Sequence, residues 1–105
     1  MELLTYEEAG KYLKLDEREE DSDFVALEAA NDRIRSVLKK DFAESENVPA
    51  ALKMGVVLYY LYYKRFFNLQ FAEDILKAKQ EIELLEKEAE RYVQLNLAPY
   101  LLKTL

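Results

Sequence analysis

The stretch GVVLYYLYYKRFF, residues 55–67, sets four tyrosines and two phenylalanines among valines and leucines, broken only by Lys64-Arg65. A run this apolar could cross a membrane, stack on nucleic acid, fill a core or meet another subunit. A bilayer span needs about 20 apolar residues. The uncharged run here, Met54 to Tyr63, is closed tightly by Lys53 on one side and Lys64-Arg65 on the other. Its length predicts a core helix, and no membrane partner is expected. On a 3.6-residue wheel Gly55, Leu58, Tyr59, Tyr62 and Phe66 share one face, while Lys53 and Lys64 mark the opposite one. Val57 and Tyr60 fall between those lysines, with Phe67 close by. A helix apolar nearly all round is either central to its domain or covered on its outer side by something else. The wheel therefore places Val57, Tyr60 and Phe67 at a subunit interface, on the side that the lysines assign to solvent.

Upstream, Asn47 and Pro49 signal the start of this helix, since proline is tolerated in a first turn. The segment before it, FAESENVP, reads as a loop. Phe24, Leu27, Ala30, Ile34, Val37 and Leu38 recur at helical spacing, so a helix is expected to about Lys40, capped by Asp21 or Ser22. Asn31 falls inside that apolar stripe, where a buried amide must find hydrogen-bond partners. Thr5-Tyr6-Glu7-Glu8 has the form of a capping box and opens a short helix to about Leu13, with Leu4, Ala9, Tyr12 and Leu13 turned inward. Between the first two helices lies DEREEDSD, residues 16–23.

Downstream, residues 71–95 form a long charged helix. Ile75, Ala78, Ile82, Leu85, Ala89 and Tyr92 alternate spacings of three and four, which makes a heptad seam. Glu73 with Lys77 and Glu83 with Lys87 are acid-first pairs four residues apart, as an exposed helix favours. The seam can pack on the protein's own core or on a second chain. Residues 97–105 make an apolar tail in which Pro99 stops the helix. Pro99, Tyr100, Leu101 and Leu102 must dock somewhere: on this chain's core, on a neighbouring subunit or on another protein.

The whole chain, 105 residues, is expected to be one all-α domain: a small bundle of about four helices ending in the long charged helix. Half the residues are hydrophobic and 34% are charged, with only two glycines and two prolines, a composition for helices rather than hairpins. The opening MELLTYEEAG lacks the basic region and apolar run of a secretory signal, so no leader is expected. A net charge of −6 argues against a dedicated nucleic-acid binder, because such affinity rests on lysine and arginine neutralising phosphates.

With no cysteine and no histidine, thiolate and imidazole chemistry is excluded: no disulfide, no catalytic triad, no common zinc site. Gly10 and Gly55 stand too far apart for a phosphate-binding loop. The acids Asp16, Glu17, Glu19, Glu20, Asp21 and Asp23 resemble a calcium cluster in composition, but the sixth-position glycine and twelfth-position glutamate of an EF-hand are missing. No enzymatic activity, no metal and no cofactor are expected.

The order of these segments carries a resemblance. LLTYEEAGKYLKLD leads through an acidic loop into DFVALEAANDRIRSVL, and VPAALKMGVVLYYLYYKRF begins with a proline. This is similar to the small head–tail connector (adaptor) proteins of long-tailed bacteriophages and prophages. Lys11, Tyr12, Leu13, Leu15 and Asp16 match the family's opening element. Leu27, Ala29, Ala30 and Ile34 match its alanine-rich helix. Pro49, Leu52, Lys53, Gly55, Val56, Val57 and Leu58 match its third, and Ala98-Pro99-Tyr100 resembles its closing one. The match covers residues 1–67, and 97–105 more loosely, while the charged helix of 71–95 departs from the pattern.

The resemblance implies a virion assembly protein made in the bacterial host cytoplasm and placed at the head–tail junction. There it would form a homo-oligomeric ring, usually of twelve subunits, between the portal protein and a stopper or tail-completion protein. DNA would pass through the lumen without sequence-specific binding. A second reading from the residues alone is a coiled-coil interaction module or regulator that pairs through the 75–92 seam.

Overall fold

A computed structural model describes residues 3–12, 20–43 and 48–102. Five α-helices follow in chain order: α1 (Tyr6–Tyr12), α2 (Glu20–Arg35), α3 (Lys40–Ala43), α4 (Ala50–Phe67) and α5 (Ile75–Asn96). One-turn 3₁₀ segments follow α4 (Leu69–Phe71) and α5 (Ala98–Tyr100). The fold is all-α, with four principal helices and the four-residue α3.

The opening stretch is the centre of the fold. On α4 the side chains of Leu52, Val56, Val57, Tyr59 and Tyr60 are buried, with α2 packed along one side and α5 along another. Gly55 sits where the chain passes closest: a Cβ there would lie 3.1 Å from Leu97 and 3.3 Å from Ile34. Ala26, Leu27, Ala30 and Ile34 are the buried side of α2, and Ile82, Ala89 and Val93 that of α5.

Local signals near the N-terminus form as their chemistry dictates. Thr5 Oγ1 accepts from the Glu8 amide at 3.2 Å, and Glu8 accepts in return from the Thr5 amide at 3.4 Å, a capping box. Leu4 and Ala9 are buried, while Leu13 and the side chain of Tyr12 lie outside the described residues. The Asn31 amide is fully used. Its Oδ1 accepts from the Leu4 amide at 2.9 Å, and its Nδ2 donates to the carbonyls of Leu4 at 2.9 Å and Leu27 at 3.1 Å. One core amide thereby ties the chain before α1 to α2.

Both ends of α2 and the start of α5 differ from the sequence reading: α5 begins at Ile75 because Leu69–Phe71 form a 3₁₀ turn, and Phe42 and Ala43, read as loop, belong to α3. Asp21 and Ser22 lie within α2 rather than capping it. At its other end α2 stops at Arg35, not Lys40. Ser36 Oγ donates back to the Arg33 carbonyl at 2.7 Å, and the amides of Val37 and Leu38 close three-residue turns onto Ile34 and Arg35. That back-bonding competes with helix continuation. The freed backbone then meets the tail: Lys39 N donates to Tyr100 O at 2.9 Å and Leu102 N to Val37 O at 2.8 Å, around an antiparallel bridge of Leu38 with Leu101.

Candidate partner surface

The residues expected at a subunit interface do not share a surface. Val57 is 5% and Tyr60 2% exposed, inside the protein's own core; only Phe67, 37% exposed, faces outward. The expectation for Val57 and Tyr60 is corrected, and the reason lies in the two lysines that bracket them. Lys53 is ion-paired with Glu8 of α1, and Lys64 Nζ lies 3.1 Å from Asp23 of α2. They point at acids on packed helices, so the face between them is covered. Lys53 in turn holds the Glu8 carboxyl below the usual range, mainly by its hydrogen bond.

Asp23 is itself wholly buried. Its Oδ1 accepts from the Tyr60 hydroxyl at 2.6 Å, while Oδ2 has no hydrogen-bond partner among the described residues. The last acid of the run at residues 16–23 is thus a core anchor for α4. Among the described residues no group of three or more acids could hold a metal ion, and no helix is long and apolar enough to cross a membrane.

The tail divides. Leu97 and Leu101 are buried, Tyr100 packs edge-on against Phe42 with centroids 4.9 Å apart, and the Pro99 carbonyl accepts from Lys39 Nζ at 3.3 Å. These contacts dock residues 97–101 on the protein's own core. The side chains of Pro99 and Leu102 remain exposed.

The heptad seam divides likewise. Ile82 and Ala89 are buried and Ala78, Leu85 and Tyr92 half-buried, with the Tyr92 hydroxyl donating to the Ala51 carbonyl at 2.9 Å. The seam from Ala78 to Tyr92 therefore packs within the chain, and only Ile75 stands clear of it.

What remains open to a partner lies where α4 turns into α5. A groove of about 890 Å³ runs between the end of α4, the 3₁₀ turn and the first half of α5. Leu61, Phe71, Ala78, Ile82, Leu84 and Leu85 supply its apolar lining. Lys64 and Arg65 stand on the α4 wall, and Glu81 and Glu88 on the α5 wall. Phe71 is 75% and Leu84 58% exposed. Phe66 and Phe67, outside this lining, continue a ladder of rings: Tyr62 and Phe66 are 6.0 Å apart, Tyr63 and Phe67 5.7 Å. Burial and a hydrogen bond to Glu86 push the Tyr62 hydroxyl up to about 12, so it stays a neutral donor across the range in which proteins work. Burial also pushes Tyr59 up, opposed by Arg33, whose guanidinium sits 5.5 Å over the Tyr59 ring.

The groove was only partly readable beforehand. Leu76, Leu84 and Leu95 lie off the heptad seam, and that is the one signal in the sequence of a second apolar side on α5. Phe71 gave none, because its exposure depends on how the turn after α4 folds. Compared with known proteins, the chain matches no family model, no curated protein and no solved structure.

Proposed function

We propose that this chain is a structural assembly protein, a ring-forming subunit of a phage head–tail connector that joins the portal protein to a stopper or tail-completion protein. The reading is carried by one observation: the ordered run of segments in residues 1–67, with the closing Ala98-Pro99-Tyr100, resembles that family. Three features of the molecule are consistent with it. The sequence has no cysteine and no histidine, and the groove's lining is largely apolar, with Lys64, Arg65, Glu81 and Glu88 on its walls. Exposed apolar residues gather around the α4–α5 turn, where a soluble protein bears a cost unless a partner covers them. The net charge of −6 suits a lumen through which DNA slides, since a basic lumen would hold its phosphates.

The alternative, a coiled-coil regulator pairing through residues 75–92, needs a seam free for a second chain. Ile82 and Ala89 of that seam are buried against this chain's own helices. The functional test is genetic. Removing the protein from the phage that encodes it should leave DNA-filled heads and free tails that do not join, with joining restored by the supplied protein. Normal, infectious virions in its absence would contradict the assignment.

A further inference from the structure

Residues 36–39 interrupt a helix that their own sequence does not break. No glycine or proline occurs between Gly10 and Pro49. The apolar stripe of α2, with Leu27, Ala30 and Ile34, runs on at helical spacing through Leu38 to Phe42. The backbone also stays close to helical on both sides of the gap. Val37 and Leu38 close three-residue turns onto Ile34 and Arg35, and α3 begins at Lys40. What stands in the gap is the tail: the Lys39 amide donates to the Tyr100 carbonyl at 2.9 Å, and the Val37 carbonyl accepts from the Leu102 amide at 2.8 Å.

In a continuous helix the Lys39 amide would donate to the Arg35 carbonyl, and the Val37 carbonyl would accept from the Asp41 amide. Tail and helix therefore compete for the same two backbone groups. We infer that residues 36–39 are a hinge with two states. In one, shown by this structure, the tail is docked and the helix is broken. In the other the tail is released and α2 runs on into α3, from Glu20 to Ala43. The inference is independent of the ring reading.

The docked state prevails because the tail brings more than its two backbone bonds. Leu101 is buried, Tyr100 packs on Phe42, and the Pro99 carbonyl accepts from Lys39 Nζ. The released state has support of its own. It extends α2 by about 12 Å and sets Lys40 in the last turn, where a cation offsets the helix dipole. Residues 44–49 can span about 20 Å, enough to return to α4 across the roughly 8–10 Å between packed helices. Coupling of this kind is reciprocal. A partner that takes the tail lengthens α2, and whatever lengthens α2 frees Tyr100, Leu101 and Leu102 for a partner. Release thus presents an apolar segment and redirects the chain between α2 and α4 in one step.

Backbone NMR and amide exchange on the full chain test this. Leu101→Asp puts a charge into a buried site and so releases the tail. In that variant the Cα shifts of residues 36–39 should move to helical values. Protection should appear at the Lys40 and Asp41 amides and vanish at Leu102. Random-coil shifts at residues 36–39, with the other helices intact, would overturn the inference. Two further variants leave the core untouched and decide the matter should Leu101→Asp fail to fold. Ser36→Ala removes the bond to the Arg33 carbonyl and favours the helix, so exchange at Leu102 should quicken several-fold. Lys40→Pro suits the first position of α3 but not the middle of a helix, so exchange at Leu102 should slow. Equal Leu102 exchange in both variants and the wild-type protein would show that the tail opens without the helix, and the inference would fall.

Discussion

Tyr60 holds a carboxylate in the core. Its hydroxyl donates to Asp23 at 2.6 Å, and Lys64 approaches the same oxygen, so one acid on α2 fastens two successive turns of α4. Removing a donor from a buried acceptor costs about 1–3 kcal/mol, because the group left behind cannot return to water. Tyr60→Phe should therefore lower the unfolding free energy by about that amount in urea titration, with an unchanged slope. An unaltered midpoint would show that the hydroxyl carries no load. Tyr60 also marks where reading from sequence stopped short. Its aromatic character and helical position were legible. Its direction was not, because a lysine on a wheel looks the same whether it points at water or at a buried acid. The partners of Lys53 and Lys64, Glu8 and Asp23, are 45 and 41 residues away in the chain, a separation that periodicity does not sense.

At the scale of elements, local chemistry predicted well at Thr5, Glu8 and Pro49, but not at Asp21 and Ser22, which lie inside α2. The capping box at Thr5 and Glu8 formed, and α4 begins right after Pro49. Asn31 was legible as a satisfied core amide, since its burial followed from the stripe around it. The end of α2 was misread because a distant element decides it: the tail takes the backbone groups at Val37 and Lys39 that a longer helix would have used. The tail thus acts as an edge for the turn after α2 and a cover for Leu38. Truncation after Leu97 removes the buried Leu101, worth about 2 kcal/mol of transfer free energy, and two backbone hydrogen bonds of about 1 kcal/mol each. For a domain of this size that should lower Tm by at least 10 °C, roughly. A truncated protein that melts as the full chain does would show the tail to be no part of the core. Of the described tail, Leu102 is the one large aliphatic side chain left exposed, beside Ala98 and Pro99.

For the whole molecule, the exposed apolar surface is uneven. The interior around α4 is closed by α1, α2, α5 and the tail, while the α4–α5 turn projects Phe66, Phe67, Phe71, Ile75 and Leu76 into solvent. We propose that further copies of the same chain cover this surface and close into a ring. Native mass spectrometry over a dilution series measures this most directly. It should find monomer giving way, as concentration rises, to one closed species of many copies, with no dimer accumulating between them. A dimer that persists at every concentration and never grows would contradict the account.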